Sequence, residues 1–355
     1  MSFFALATLL PFALTVMAAL HGGAWGWLAL SAMTVLVVVL DRLTARHTRN
    51  ADPAAEFPAA TPLLIVLGIM HLLLLALIVR SSGGNTGLDT SEKLLAGIAA
   101  GMIFGQISHP VAHELIHRPA RGPRLLGRVI YTSLLVGHHA SAHLRVHHVH
   151  VGTENDPSSA RLGEGFYRFA LRAAPGAFMA GLRAESRLRA KVEAARRRPH
   201  PYVFHVGGAI LTVIAALLLG GLVGAGVLVA VSLYAQIQML LSDYVQHYGL
   251  RRRARPDGTP EPVGPQHSWN APFRYSSALT LNAPRHSDHH VAPSRPYPAL
   301  RFNAEMPVLP ASVPVMAVVA LVPPLWRRIM DPRCERLSGA RNFATRGRGM
   351  KNRLA

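Results

Sequence analysis

Long apolar runs alternate with arginine-rich polar stretches along this chain. Runs close to the roughly 20 residues needed to cross a hydrocarbon core fall at residues 2–20, 24–40, 61–79, 92–107, 206–222 and 223–241. The pattern predicts six transmembrane helices. No basic residue precedes the first run and a second run follows almost at once, so the first reads as a retained span and not as a cleaved signal.

The polar remainder predicts two further regions. The first continues the fourth span, turns at "RPARGP", resumes helically over about residues 124–148 and breaks at "GTENDPSS". It then becomes an amphipathic, arginine-rich helix or helix pair over 164–198, expected at the membrane surface. The second starts at "DYVQHYGLRRRARP" and runs through a proline-rich loop to "HSWN" and "RHSDHH". Its apolar stretch 304–326 is punctuated by prolines, which argues against a straight seventh span. It reads as an interfacial segment anchored by Trp326, Arg327 and Arg328. The expected organisation is an all-α polytopic membrane protein. Helices 1–4 occupy residues 1–108, a helical cap 109–202, helices 5 and 6 residues 203–246, and a second polar region 247–355.

Half of the 355 residues are hydrophobic and only 15% are charged, which supports the membrane class over a soluble one. The net charge of +19 needs its own account. Arginines crowd residues 41–56, 118–200, 251–255 and the C-terminal tail, while the connections "HGGA" and "SSGGNTGLDT" carry none. By the positive-inside rule both termini and both polar regions face the cytoplasm, across the cell's inner membrane. The arginines then set topology, meet anionic lipid and offer a docking face for an acidic protein. Nucleic-acid binding is excluded, because the basic runs lack interleaved aromatic residues. Cys334 is the only cysteine, so this chain alone supplies no disulfide, four-cysteine iron site or iron–sulfur cluster. Electrons for redox chemistry must come from elsewhere.

The candidate chemistry lies in histidines. "HELIH" places His113 and His117 at i, i+4; "HLRVHH" places His143, His147 and His148 together; "RHSDHH" gives His286, His289 and His290; and His247 stands in "QHYG" at the foot of the sixth run. On helices such spacings gather imidazoles on one side. Neutral imidazole ligates zinc, copper, iron and nickel. Nine exceed what one ion takes and suit two. A carboxylate-bridged di-iron bundle would need two Glu-x-x-His pairs, whereas this chain offers one, Glu114 with His117, so imidazole must carry the site. His138 and His139 read as structural or as supports of the ligand rings, His109 stands outside the site, and His150, His200, His205 and His267 read as surface or hydrogen-bonding residues.

These residues resemble the three histidine boxes of the membrane desaturase and hydroxylase superfamily. More narrowly, "HELIHR", "HLRVHHVHVGTENDPSSAR", "DYVQHYGLRR" and "LNAPRHSDHH" resemble the boxes of the AlkB-type alkane 1-monooxygenases, and "LVPPLWRRIMDPR" resembles that family's C-terminal stretch. The resemblance spans roughly residues 94–333. It implies two non-haem irons held by the nine histidines, with dioxygen as co-substrate and terminal methyl groups as the target. It implies electrons from rubredoxin and its NADH-dependent reductase. Asp156 and Asp288, and less directly Glu114, are the expected carboxylate partners of ligating imidazoles. The chain departs from the family's N-Y-x-E-H-Y-G by carrying Asp243 and Gln246, a neutral amide in place of a carboxylate. That departure keeps methyl groups of aromatic compounds open as substrates, as in xylene monooxygenases. An acyl-lipid desaturase or hydroxylase of the same superfamily, an HExxH zinc protease with Glu114 as base and a metal transporter are the other readings. The last two leave the remaining clusters unused or misplaced. Small residues Gly97, Ala99, Ala100 and Gly101 either leave space for a hydrocarbon or pack helices closely.

Overall fold

In a computed structural model the described residues are 1–44 and 49–351, with side chains described as far as 339. Arg46 and the basic side chains of the tail beyond 339 therefore lie outside the described set. The regular secondary structure of the described residues is helical. Two isolated bridges are its only β pairing among the described residues.

Four helical runs are long and apolar enough to cross a membrane: Ser2–His21, Ala60–Gly83, Thr90–Ile116 and Glu193–His247. Helix α1 is Ser2–His21. Helices α2 (Ala24–Met33) and α3 (Val35–Leu43) form a fifth run bent by 42°. The expected straight second span is thus broken, at Thr34, whose backbone leaves the helical region. Beyond the bend, Asp41 accepts hydrogen bonds from the backbone N–H groups of Tyr275 and Ser276 at 2.9 and 3.0 Å. It caps a helix far along the chain, as an N-cap residue ordinarily caps its own. That contact pins the lower end of α3 to the third histidine region.

Helix α4 is Ala60–Gly83. Helix α5 (Thr90–Ile103) opens on a capping box of Asp89 and Glu92. Glu92 also accepts from Gly23 N at 2.7 Å, which ties the turn between α1 and α2 to the start of α5. A π-helical turn over Phe104–Ser108 carries α5 into α6 (His109–Ile116), so the first histidine box continues a span, as the sequence predicts. Of the small residues there, Ala99 and Ala100 are fully buried, and a Cβ on Gly101 would lie 2.4 Å from the Tyr234 ring. These three pack helices and leave no channel.

Helix α7 (Arg121–Ser133) ends earlier than the sequence suggests. Leu135, with φ of 59°, breaks the expected run 124–148, and helix resumes in α8 (His139–Ala142), a second π turn (His143–His147) and α9 (His148–His150). Helices α10 (Phe166–Lys191) and α11 (Glu193–Arg196) form the arginine-rich pair.

Helix α12, Pro201–His247, is 47 residues long. At 1.5 Å per residue that is about 70 Å, over twice a hydrocarbon core of about 30 Å. It bends back at Gly221, whose φ of 61° and ψ of −159° only glycine adopts readily. His205 meets Ser141 at 3.1 Å, and Gln236 donates to the Leu134 carbonyl at 2.8 Å. Both arms of α12 therefore return to residues 134–141. The bend packs on the far end of α4, where a Cβ on Gly83 would lie 1.9 Å from the Gly220 carbonyl oxygen.

The remaining helices are α13 (Arg274–Leu279), α14 (His286–Val291), α15 (Val313–Ala320) and α16 (Pro323–Lys351). Prolines divide the C-terminal apolar stretch, as expected. Trp326, however, is no interfacial anchor. It is fully buried, with ring centroids 5.1 Å from Tyr244 and 5.3 Å from Tyr248. Each such aromatic pair contributes about 0.5–1.5 kcal/mol beyond area burial. It belongs to a second core, with Phe166, Phe169, Trp269 and Met330, that clamps the foot of α12.

Candidate metal centre

All nine histidines of the four motifs converge, and they do so in two groups. His113, His117, His143, His148 and His289 form one; His147, His247, His286 and His290 form the other. Within each, the ligand nitrogens lie within 4.8 Å of one another.

Local structure explains how. Helix α6 projects His113 and then His117 at its end, one turn apart. The π turn before α9 widens the helix by one residue, and π turns recur at functional sites for this reason. His143 and His148 then face the first group while His147 faces the second. Helix α14 does the same with His289 in the first and His286 and His290 in the second. The second arm of α12 ends at His247.

In the first group Nε2 atoms approach as His113 to His289 at 2.7 Å, His289 to His148 at 3.2 Å, His148 to His143 at 2.9 Å and His143 to His117 at 3.2 Å. In the second, His286 Nε2 lies 2.9 Å from that of His247 and 3.1 Å from that of His290. Ligand atoms about 2.1 Å from a common ion would stand roughly 3.0–3.4 Å apart. The donor set fits metal ions in chemistry and in spacing.

Electrostatics point the same way. Burial, reinforced by neighbouring imidazoles, pushes His143, His148, His289 and His290 well below the usual histidine range. Burial lowers His286 to about 3 and His117 to about 4. Neutral rings offer lone pairs without first losing a proton. His147 differs: burial pushes it down, but the Asp156 carboxylate outweighs burial and raises it.

Asp156 is the carboxylate partner the sequence suggests. Its Oδ2 lies 2.9 Å from His147 Nδ1 and accepts from Ser159 Oγ at 2.7 Å, while Oδ1 accepts from Ser158 N at 3.1 Å. This places the proton of His147 on Nδ1. Its Nε2, buried and without a hydrogen-bond partner, is left for the second group. Asp288 is placed otherwise. It pairs with Arg295 and accepts from Arg301 N at 2.8 Å, fixing the chain that follows α14. Glu114 pairs with Arg118 at 3.0 Å and accepts from Tyr297 N at 3.3 Å. Gln246 Oε1 accepts from Ser242 Oγ at 2.9 Å and its Nε2 donates to the Ala283 carbonyl at 3.2 Å. The donor end explains the amide: a carboxylate there would meet a carbonyl oxygen. Gln246 thereby ties the foot of α12 to the loop preceding His286.

One neighbour, Tyr131, escapes the motif reading. Tyr131 Oη lies 3.0 Å from His109 Nδ1, and His139 stacks on His143 with centroids 5.3 Å apart. Neither His109 nor His139 belongs to either group, as the sequence suggests. Asp243, one turn before His247, lies buried near Asp156 and His147. Only its place in the HYG motif marks it in the sequence.

A cavity of about 890 Å³ reaches both groups. Its walls are apolar side chains of α2, α3, α5, α12 and α15, such as Met33, Val37, Ile98 and Val318, and its inner end is lined by His113, His143, His286 and His289.

The class these features define is found by comparison. Residues 93–320 match the fatty acid desaturase family, and the chain belongs to that family. It is 33% identical over 320 residues to alkane 1-monooxygenase 2 of Pseudomonas aeruginosa, covering 88% of this chain and 85% of that protein. It is 29% identical to alkane 1-monooxygenase 2 of Alcanivorax borkumensis, covering 88% and 83%. With the alkane 1-monooxygenase of Ectopseudomonas oleovorans it shares 33% identity over 61% of this chain and 54% of the relative.

Proposed function

We propose that this protein is a non-haem di-iron monooxygenase of the membrane, hydroxylating the terminal methyl group of an alkane to the primary alcohol. The balance is R–CH3 + O2 + two electrons + two protons giving R–CH2OH + H2O. The observation that carries the reading is the convergence of nine buried or half-buried histidines in two groups, four of which line the inner end of a largely apolar cavity. The similarity to alkane 1-monooxygenases over most of the chain supports the reaction class.

The nine histidines would hold two irons, and iron would supply the activation of dioxygen. The chain's own contributions are positional. Asp156 orients His147, Gln246 and Asp41 hold the segments bearing His247 and His286, and the cavity walls align a methyl carbon while excluding water. The fold-back at Gly221 supports counting α12 as two spans, which with α1, the pair α2 and α3, α4, and α5 with α6 makes six. The arginine distribution supports a cytoplasmic cap in the inner membrane. These 355 residues carry no cysteine cluster, so electrons reach them from outside, and rubredoxin with its NADH-dependent reductase fits the basic face as donor.

The test is the product profile of cells carrying this protein, a rubredoxin and its reductase, fed n-octane, n-hexadecane and p-xylene together. A 1-alkanol is expected. Methylbenzyl alcohol without alkanol would transfer the assignment to aromatic methyl groups. In parallel, His286→Ala should lose iron and activity; retention of both would leave only a site built from "HELIH".

A further inference from the structure

A second groove lies on the bundle away from the histidines. It measures about 400 Å³ and is walled by Leu72, Ala76 and Val79 of α4 and by Phe204, Leu211 and Ala215 of the first arm of α12. Phe204 and Leu219 both line it, 15 residues apart on one helix arm, so it extends about 22 Å. Half of a hydrocarbon core is about 15 Å thick. Leu211 and Leu219 are exposed, so the groove opens toward lipid.

One end is charged. The Arg128 guanidinium sits over the Phe204 ring at 4.6 Å, and Arg124 stands one turn earlier on the same face of α7. Among the described residues neither makes an ion pair, although Glu185 lies near enough to act on Arg128 and pairs instead with Arg145 at 3.6 Å. This is the same end as the histidines, because the adjacent His205 contacts Ser141.

We infer that this groove holds one acyl chain of an anionic phospholipid, with the phosphate on Arg128 and Arg124. The length suits an acyl chain lying along the bundle, and two arginines at one mouth suit a phosphodiester. The groove shares its Thr132 and Ser133 floor with the segment leading to His143. Occupancy therefore braces the helix break that precedes the second histidine box.

The test uses the purified full chain in detergent, stripped of lipid and titrated with phosphatidylglycerol or phosphatidylcholine of identical acyl chains. Binding is read by native mass spectrometry and by the shift in thermal midpoint. At about 1 kcal/mol for each basic residue near the headgroups, phosphatidylglycerol should bind on the order of 30-fold tighter. The double variant R124Q/R128Q should lose that preference. Ala215→Phe, and independently Ala76→Phe from the opposite wall, should weaken both lipids by filling the groove. Equal binding of the two lipids, or a preference that survives R124Q/R128Q, would overturn the proposal. Displacement of phosphatidylglycerol by glycerol 3-phosphate at equal concentration would also overturn it, by showing a site for the anion alone.

Discussion

Replacing Asp156 by asparagine isolates the role of one carboxylate at almost constant shape. The carboxylate faces His147 Nδ1 at 2.9 Å, Ser159 Oγ at 2.7 Å and Ser158 N at 3.1 Å. An asparagine turns one oxygen into a donor. If that donor faces His147, it requires the tautomer with the proton on Nε2, which cannot bind a cation; if it faces Ser158 N, two donors meet. Either arrangement loses a charge-assisted hydrogen bond worth about 1.5–3 kcal/mol. Carboxylate partners of ligating histidines ordinarily account for about 10–100-fold in metal affinity. Because His147 belongs only to the group with His247, His286 and His290, one metal of two should be affected. The assay is metal retained per chain, by inductively coupled plasma mass spectrometry, after exposure to graded chelator. In D156N one equivalent should leave at about 10–100-fold lower chelator and hydroxylation should fall with it, the other equivalent behaving as in the parent. Release of both metals together, or at the parent concentration, would refute the reasoning.

Three further outcomes are expected. Gly221→Ala puts a side chain into a backbone region essentially reserved for glycine, so the thermal midpoint should drop by the equivalent of about 1–3 kcal/mol with metal per folded chain unchanged. Burial raises the Glu164 carboxyl, but its bonds to Arg172 and to Arg161 N outweigh burial and hold it below its ordinary value of 4.5. The stability it contributes is present above that value and lost as pH falls through the lowered one. The midpoint of Glu164→Gln should therefore respond less to acidification, measured by scanning from neutral pH to below 4.5. Burial, with Asp331 and Glu335 adding to it, pushes the Cys334 thiol up to about 12, so maleimide at mildly alkaline pH should label it only after unfolding.

The site was more legible in the sequence than the fold that presents it. Ligating histidines must recur at spacings that bring rings together, and those spacings survive in "HELIH", "HLRVHH" and "RHSDHH" whatever the helices do at larger scale. Backbone irregularities left weaker marks. The bend at Thr34 lies inside an unbroken apolar run, and Leu135 at φ of 59° has no glycine to announce it. Trp326 misled because a tryptophan followed by two arginines has the composition of an interfacial anchor, while its burial depends on Tyr244 and Tyr248 from another part of the chain. Asp288 misled in the same way: it sits between clustered histidines in sequence, but at its position on α14 the carboxylate turns toward Arg295. Long-range pairing decided each of these, and single-chain pattern reading does not see it.

The doubled histidines have a geometric explanation that neither group alone provides. Successive residues on a helix point about 100° apart. His147 with His148, and His289 with His290, are each divided between the two groups. The π turn with α9 gives His143 and His148 to the first group and His147 to the second, and α14 gives His289 to the first and His286 and His290 to the second, so both segments stand between the sites. His148 and His290 have ring centroids 4.7 Å apart, and His143 and His147 stand 5.3 Å apart, so the two groups adjoin. A rotation of either helix by one residue would exchange donors between groups and leave both with poor geometry. The devices that fix rotation lie outside the histidines: Asp156 on His147, the π turn before α9, and the Asp288 contacts with Arg295 and Arg301 behind α14. Asp288 thus supports the centre through the backbone and not through an imidazole. Its loss should disturb both groups together, where loss of Asp156 disturbs one.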